Sequence, residues 1–402
     1  MESQKADIYH QISVLQQALS SDKSRIAFLL GAGCSTAILI KNGEGEQTEA
    51  LIPDVAGLTN IVKDKLQYLN IEAVCTRLNK TNSRESNIEE ILSHVRLLQQ
   101  VIGDGKIDEL SKDDLNELEE SICNEITDAV KKDLPQDQTP HRNLATWIGA
   151  ISRNNAVEIF TPNYDTLIEQ ALESMNIPYF DGFTGSCNAF FDLHSIEHDN
   201  LPPRWARLWK LHGSINWWLD ENGNVCRNNG LKLNCAQQMV YPSHLKYDQS
   251  RRMPYLAMLD RLGKFLSDGQ SILITCGYSF ADQHLNEVIT QRLSANPRAV
   301  CFGLLYSEID KYPLAIQCAQ KRANLNLISK DASFVGTLKR NWNGEGVKSD
   351  HDACIIGAVC LEKGESDTEK VVCKLGDFNV FGTFLASQLG PYGNLKEERD
   401  EQ

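Results

Sequence analysis

Four apolar segments that each end in small or polar residues constrain this chain more than any other feature. They are FLLGAGCS at 28–35, IFTPNYDTLIEQAL at 159–172, WKLHGSINW at 209–217 and LITCGYSFADQHL at 273–285. Each begins as a strand-like apolar run and finishes in Gly, Asn, Asp, Ser or His. The carboxyl edge of a parallel sheet has this pattern, and doubly wound α/β proteins bind ligands at that edge. Recurrence of the pattern, with an Asn and a His among the end residues, points to a nucleotide-using enzyme.

The rest of the chain agrees with an α/β fold. A length of 402 residues suits one large domain with insertions, or two domains. RIAFLL (25–30) and VEIFT (157–161) read as buried strands. SILITCG, AVCFGLLY (299–306) and LNLIS (325–329) alternate with helical patterns that start at Asp282 and at 313. That rhythm predicts a parallel sheet. Residues 5–20 predict an amphipathic helix through Ile8, Ile12, Leu15 and Leu19. KNGEGEQTE (41–49) reads as a polar loop.

Two insertions are expected. From about 58 to 155 the spacing is helical, with Ile88, Ile91, Leu92, Val95 and Leu98 on one face and Leu115, Leu118, Ile122 and Ile126 on another. From about 178 to 270 come turn clusters, a hairpin through ENGN (221–224), MVYPS (239–243) and a helix over 253–266. The catalytic domain is thereby set at 1–340, with a polar linker at 340–350. Residues 350–402 form a small C-terminal α+β unit of two strands and a helix, ending in the disordered tail NLKEERDEQ. Phe378, Phe381 and Phe384 give its helix an apolar face, which packs either on a neighbouring subunit or back on the catalytic domain.

Composition excludes several classes. No apolar run reaches the roughly eighteen residues of a membrane span, and MESQKADIYHQ lacks a secretory pattern, so a cytoplasmic protein is expected. The net charge of −14 disfavours direct binding to a nucleic-acid backbone. The twelve cysteines are scattered and read mostly as buried apolar residues. Cys226 and Cys235 are too far apart for a zinc knuckle, and Cys-x-x-Cys and His-Glu-x-x-His are absent, so no metal is expected. There is no Walker A sequence and no Gly-x-Ser-x-Gly.

The chemistry lies in the four strand ends. Gly31-Ala32-Gly33 lets backbone approach a ligand, and the helix behind it offers N–H groups to a pyrophosphate. Ser35 either contacts phosphate or caps that helix. The side-chain amide of Asn163 can donate and accept together, which suits a ribose hydroxyl and a water. Asp165 is a ligand contact or a helix cap. His212, followed by Gly213, suits proton transfer near neutral pH. Ser279 suits ribose or phosphate. Asp282 reads as an N-cap and His284 as a packing residue rather than a second base.

In this order, across about residues 20–340, these motifs resemble the sirtuin-type NAD-binding fold, a Rossmann-like doubly wound sheet. Gly31, Ala32, Gly33 and Ser35 match its GAG-x-S loop. Ile52, Pro53 and Asp54 match part of its Ile-Pro-Asp-Phe-Arg signature, with Val55 and Ala56 in place of Phe and Arg. Thr161 to Asp165 match Thr-Gln-Asn-x-Asp with Pro162 for Gln. His212 and Gly213 match the catalytic His-Gly, and Gly277, Tyr278 and Ser279 match Gly-Thr-Ser. TPNYDTLIE, LHGS and GYSFxDxH are similar to the bacterial sirtuin-like NADases of phage defence. The short format is most similar to members encoded beside a HerA-type hexameric ATPase.

The resemblance implies NAD+ as substrate, cleaved to nicotinamide and ADP-ribose. It implies Asn163 and His212 as catalytic residues. Gly31, Ala32, Gly33 and Ser35 would hold the pyrophosphate, and Asp54, Asp165, Gly277 and Ser279 the ribose and nicotinamide. It also implies a homo-oligomer bound to a HerA-type ATPase through the C-terminal unit or the helical insertion. NAD-dependent protein deacylation, and a sensing or nuclease-associated subunit, are the alternative readings.

Overall fold

Burial with a period of two along the central strands sets the architecture. In the strand Arg25–Leu30, Ile26, Phe28 and Leu30 enter one apolar cluster while Ala27 and Leu29 enter another. The same split recurs in Ser271–Cys276, where Ile272, Ile274 and Cys276 face one cluster and Leu273 the other. Strands buried on both faces must be covered by helices on both sides. The computed structural model describes residues 5–41, 48–82, 85–103, 105–107, 109–150, 153–186, 188–220, 222, 224–227, 254–343, 351, 356–363 and 369–390. Cys235, MVYPS (239–243), most of the loop and linker expected at 41–49 and 340–350, and the tail lie outside them.

A ten-stranded sheet forms the centre. Its parallel part runs Leu325–Ile328, Val300–Leu304, Ser271–Cys276, Arg25–Leu30, Glu158–Thr161, Ala206–Lys210 and Tyr179–Phe180. The chain leaves Arg25–Leu30 toward Glu158–Thr161 on one side and returns later to Ser271–Cys276 on the other. That reversal is the topological switch of a doubly wound sheet. The helices Tyr255–Ser267 and Gln283–Ala295 cover one face. The helices Ile8–Ser20, Pro140–Ala150 and Leu167–Ser174 cover the other.

The expected helical insertion is present as Val55–Lys65, Ile71–Asn82, Ile88–Val101 and Lys112–Val130. Two of these start at capping boxes, Asn87 with Glu90 and Ser111 with Asp114. The apolar faces read from the sequence are buried, and they join the same cluster as the sheet. In the second insertion Trp217–Leu219 and Val225–Arg227 form the expected hairpin, within a four-stranded sheet completed by Ala189–Phe191 and Phe183–Thr184.

One expectation changes near the C-terminus, and of the two packings left open for the C-terminal helix the structure shows one. The linker expected from residue 340 begins later, because Leu338–Trp342 pairs antiparallel with Ala332–Val335 as part of the main sheet. Trp342 is buried there and its Nε1 donates to the Ser329 carbonyl at 3.0 Å. The aromatic face of the helix Phe378–Ser387 packs back on the chain. Phe381 lies 6.2 Å from Phe28, Phe378 meets His141 edge-on at 5.0 Å, and Gly382 sits against Pro140. Among the described residues no helix is long and apolar enough to cross a membrane.

Candidate active site

Sheet register brings the four motifs together. Cys276 pairs with Leu30, Leu29 with Phe160, and Thr161 with Lys210, so the chain leaves four adjacent strands at nearly one level. Two of the exits touch. A methyl group on Gly31 would lie 2.3 Å from the Gly277 carbonyl oxygen, and one on Gly277 would lie 2.4 Å from the Cys34 nitrogen. Gly277 also has φ +63°, a left-handed conformation that favours glycine. Gly31 N–H donates to the Cys276 carbonyl, Gly33 N–H to Gly277 and Cys34 N–H to Gly31, at 2.9, 3.0 and 3.0 Å. The helix behind the turn was expected to offer N–H groups to a pyrophosphate; those of Gly33 and Cys34 are engaged in this way. These glycines serve close backbone packing.

Above the edge lies a cavity of about 690 Å³, within the range of small-molecule sites. Gly31, Ala32, Ser35, Asn163, Asp165, His212, Gly277, Ser279, Asp282 and His284 all line it. Gly33 and Asp54 do not contribute to the lining. The Asp54 carboxylate accepts from Gly57 N–H at 2.8 Å and caps the helix Val55–Lys65, while Ile52, Pro53 and Val55 around it do line the cavity. Among the described residues no three His, Cys, Asp or Glu side chains gather into a metal-holding group.

Hydrogen bonds fix the direction of Asn163. Its Nδ2 donates to the Gly31 carbonyl at 3.0 Å and to Ser35 Oγ at 2.9 Å. The carbonyl can only accept, so the amide nitrogen must face it, and both of its protons are used. Oδ1 is thereby the acceptor that Asn163 presents to the cavity it lines. Ser35 Oγ in turn donates to Asp165 Oδ2 at 2.6 Å. Ser35 therefore does not cap the short helix Ala32–Thr36; it couples Asn163 to Asp165. Asp165 Oδ1 accepts from Leu167 N–H at 3.1 Å, a turn just ahead of the following helix, whose N-cap position is Thr166.

Beneath this network sits a buried cation that sequence reasoning missed. Lys210 is 1% exposed; its Nζ bonds the Asp165 carbonyl and pairs with Glu169 Oε1 at 3.3 Å. Burial raises the Glu169 pKa, and Lys210 opposes the rise. Further bonds stitch the two loops together: Leu211 N–H to the Thr161 carbonyl at 2.8 Å, and Ile215 N–H to the Tyr164 carbonyl at 3.0 Å.

His212 enters from the end of the neighbouring strand. Its Nε2 lies 3.1 Å from Asp282 Oδ2. The other oxygen, Asp282 Oδ1, accepts from His284 and Leu285 N–H at 2.9 and 3.2 Å as the N-cap of Gln283–Ala295. A further wall comes from the helical insertion: Leu58, Val130, Asn87, Glu89 and Glu90. Asn87 and Glu90 form the capping box of Ile88–Val101, and nothing in the spacing placed them on a cavity.

The site thus combines an acceptor amide, a histidine and carboxylates at a switch-point crevice, the place where doubly wound sheets bind ligands. Residues 157–324, less than half of the chain, match the family model of a SIR2-like domain. No curated protein matches. Among solved structures, a Sir2 enzyme described for its mechanism and regulation is 12% identical over 76% of this chain and 89% of its own, with a TM-score of 0.37. A Sir2 homologue–NAD complex is 14% identical over 78% and 87%, with a TM-score of 0.35. A Sir2 homologue mutant bound to ADP-ribose gives 12%, 75%, 87% and 0.32. At this identity and overlap, what the site does has to come from its own geometry.

Proposed function

We propose that the chain hydrolyses NAD+ to nicotinamide and ADP-ribose. The observation that carries this reading is the joint placement of Asn163 and His212 in one cavity, with both amide protons of Asn163 engaged by Gly31 and Ser35. The SIR2-like match, which spans Asn163, Asp165, His212, Gly277 and Ser279, supports NAD+ as the ligand. The bond between nicotinamide and ribose breaks with its electron pair going to the ring nitrogen. That nitrogen is already cationic, so no acid is needed. A water oxygen bonds to the anomeric carbon, and its proton passes to His212. Asn163 Oδ1 accepts from the attacking water or a ribose hydroxyl, holding it in line. Gly31, Ala32, Ser35, Gly277 and Ser279 border the dinucleotide. The oxocarbenium-like ribose forms beside the carboxylate of Asp165.

The setting we propose is NAD+ depletion in phage defence by a homo-oligomer bound to a HerA-type ATPase. The resemblance of TPNYDTLIE, LHGS and GYSFxDxH supports it. The test follows nicotinamide release from NAD+ by the purified chain, alone and with a HerA-type hexamer. His212→Ala and Asn163→Ala should each lower turnover by at least about a hundredfold while the protein stays folded. Near-normal release by either variant removes the assignment, and release only with an acyl-peptide present makes the enzyme a deacylase.

A further inference from the structure

Asp282 does more than a cap requires. Any of Ser, Thr, Asn or Asp satisfies a helix N-terminus with one oxygen. Here Oδ1 alone takes both cap bonds, from His284 and Leu285 N–H. The second oxygen is left to face His212 Nε2 at 3.1 Å, with the two side chains only 14% and 10% exposed. The backbone at Asp282 is also held. Tyr278 Oη lies 3.2 Å from the Asp282 carbonyl and 2.8 Å from Asn286 Oδ1. Asn286 Nδ2 donates to the Phe280 carbonyl at 2.7 Å, and Phe280 adopts φ +59°. A left-handed conformation at an aromatic residue costs energy, and it persists only where the surroundings over-determine it.

We propose that Asp282 is the positioning residue of His212. An ionised carboxylate only accepts, so the imidazole proton resides on Nε2 and Nδ1 is the basic nitrogen. During the reaction the O–H bond of water, or of a ribose hydroxyl that relays the proton, breaks and an N–H bond forms at Nδ1. The resulting imidazolium is neutralised by Asp282, while the electron pair of the glycosidic bond leaves with nicotinamide. Cap and dyad share one side chain, so the N-terminus of Gln283–Ala295 sets the orientation of the base. This inference rests on the NAD+ hydrolase reading for its reaction but not for its tautomer.

Asp282→Asn separates the roles. Its Oδ1 keeps the cap, and its amide donates toward Nε2, which forces the ring proton onto Nδ1. We expect kcat for nicotinamide release to fall at least about a hundredfold, with KM within about threefold and an unchanged thermal midpoint. Asp282→Ser should cap equally and lose turnover equally, and Asp282→Glu should recover part of it. Nitrogen-15 NMR of the His212 ring reads the tautomer directly: Nε2 protonated in the wild type, and the proton moved to Nδ1 in Asp282→Asn. Turnover of Asp282→Asn within about threefold of wild type overturns the proposal, as does an unprotonated Nε2 in the wild type. If the wild type releases no nicotinamide, the hydrolase reading fails while the NMR arm still decides the dyad.

Discussion

The two walls of the cavity are built in different ways. On the sheet-edge wall Asn163, Asp165 and His212 are fixed by strand register and by buried or half-buried partners: Asn163 by Gly31 and Ser35, Asp165 by Ser35 and Leu167, His212 by Asp282. On the helical wall Ile52, Pro53, Val55, Leu58 and Val130 supply apolar surface, and Asn87, Glu89 and Glu90 mark a helix start. The first wall is organised for direction, which chemistry at one atom requires. The second is organised for contact, which holds a ligand against the first. Substitutions should therefore cost much on one wall and little on the other.

The largest effect is expected from Lys210→Met. It removes the cation but leaves Glu169, which is 8% exposed, without its partner. Breaking one side of a buried pair costs about 3–5 kcal/mol. The double variant Lys210→Met/Glu169→Met should recover most of that, because neither charge is then stranded. Chemical denaturation of the three variants checks it. A Lys210→Met protein as stable as wild type would show that the sheet-edge wall does not depend on buried charge.

Acid should also act beside this wall, through His141 on the helix Pro140–Ala150. Burial lowers the His141 pKa from its ordinary 6.5 to about 4; Asp165 opposes the shift and Arg142 adds to it. The unfolded chain takes up that proton below about pH 6.5 and the folded chain refuses it until about pH 4. Stability from this group is therefore full at neutral pH and is lost as pH falls through that window, by on the order of 3 kcal/mol at its acid end. Glu169, with its raised pKa, works in the opposite direction. The comparison that isolates His141 is the stability gap between wild type and His141→Leu. That gap should shift in favour of the variant between pH 7 and pH 4, and a constant gap would remove His141 as an acid-sensitive group.

The sheet-edge wall was largely legible in the sequence, because apolar runs ending in Gly, Asn or His mark strand ends without reference to the rest of the chain. Its partners were less so. Lys210 ends a strand as an ordinary polar residue; only the fold shows that it runs under the loop to Glu169. Asp282 was legible as a cap, but its second oxygen has meaning only once His212 is beside it. For Phe378, Phe381 and Phe384 the spacing gave an apolar face and not its occupant, Pro140–Ala150 with Phe28. Ala332–Val335 and Leu338–Trp342 escaped notice because the second is mostly exposed and polar, although it pairs on both sides, with Ala332–Val335 and with Lys5–Ala6. The helical wall was legible as helices but not as a wall.

The smallest effect is the sharpest test of the contrast. Glu89 lies in the first turn of Ile88–Val101, half-buried and lining the same cavity as the catalytic candidates. Its charge favours the helix N-terminus, which is worth about 0.3–1 kcal/mol. The capping box itself uses Asn87 and Glu90, so Glu89→Gln leaves both of its bonds in place. Stability should fall by no more than about 1 kcal/mol. Nicotinamide release should stay within about threefold of wild type, against the hundredfold expected for Asn163→Ala. The small change that does occur should be in KM rather than kcat, because a contact wall binds ground state and transition state alike. A hundredfold loss of kcat in Glu89→Gln, with KM unchanged, would put a carboxylate of the helical insertion among the groups that stabilise the reacting ribose. The division between a chemical wall and a contact wall would then be wrong.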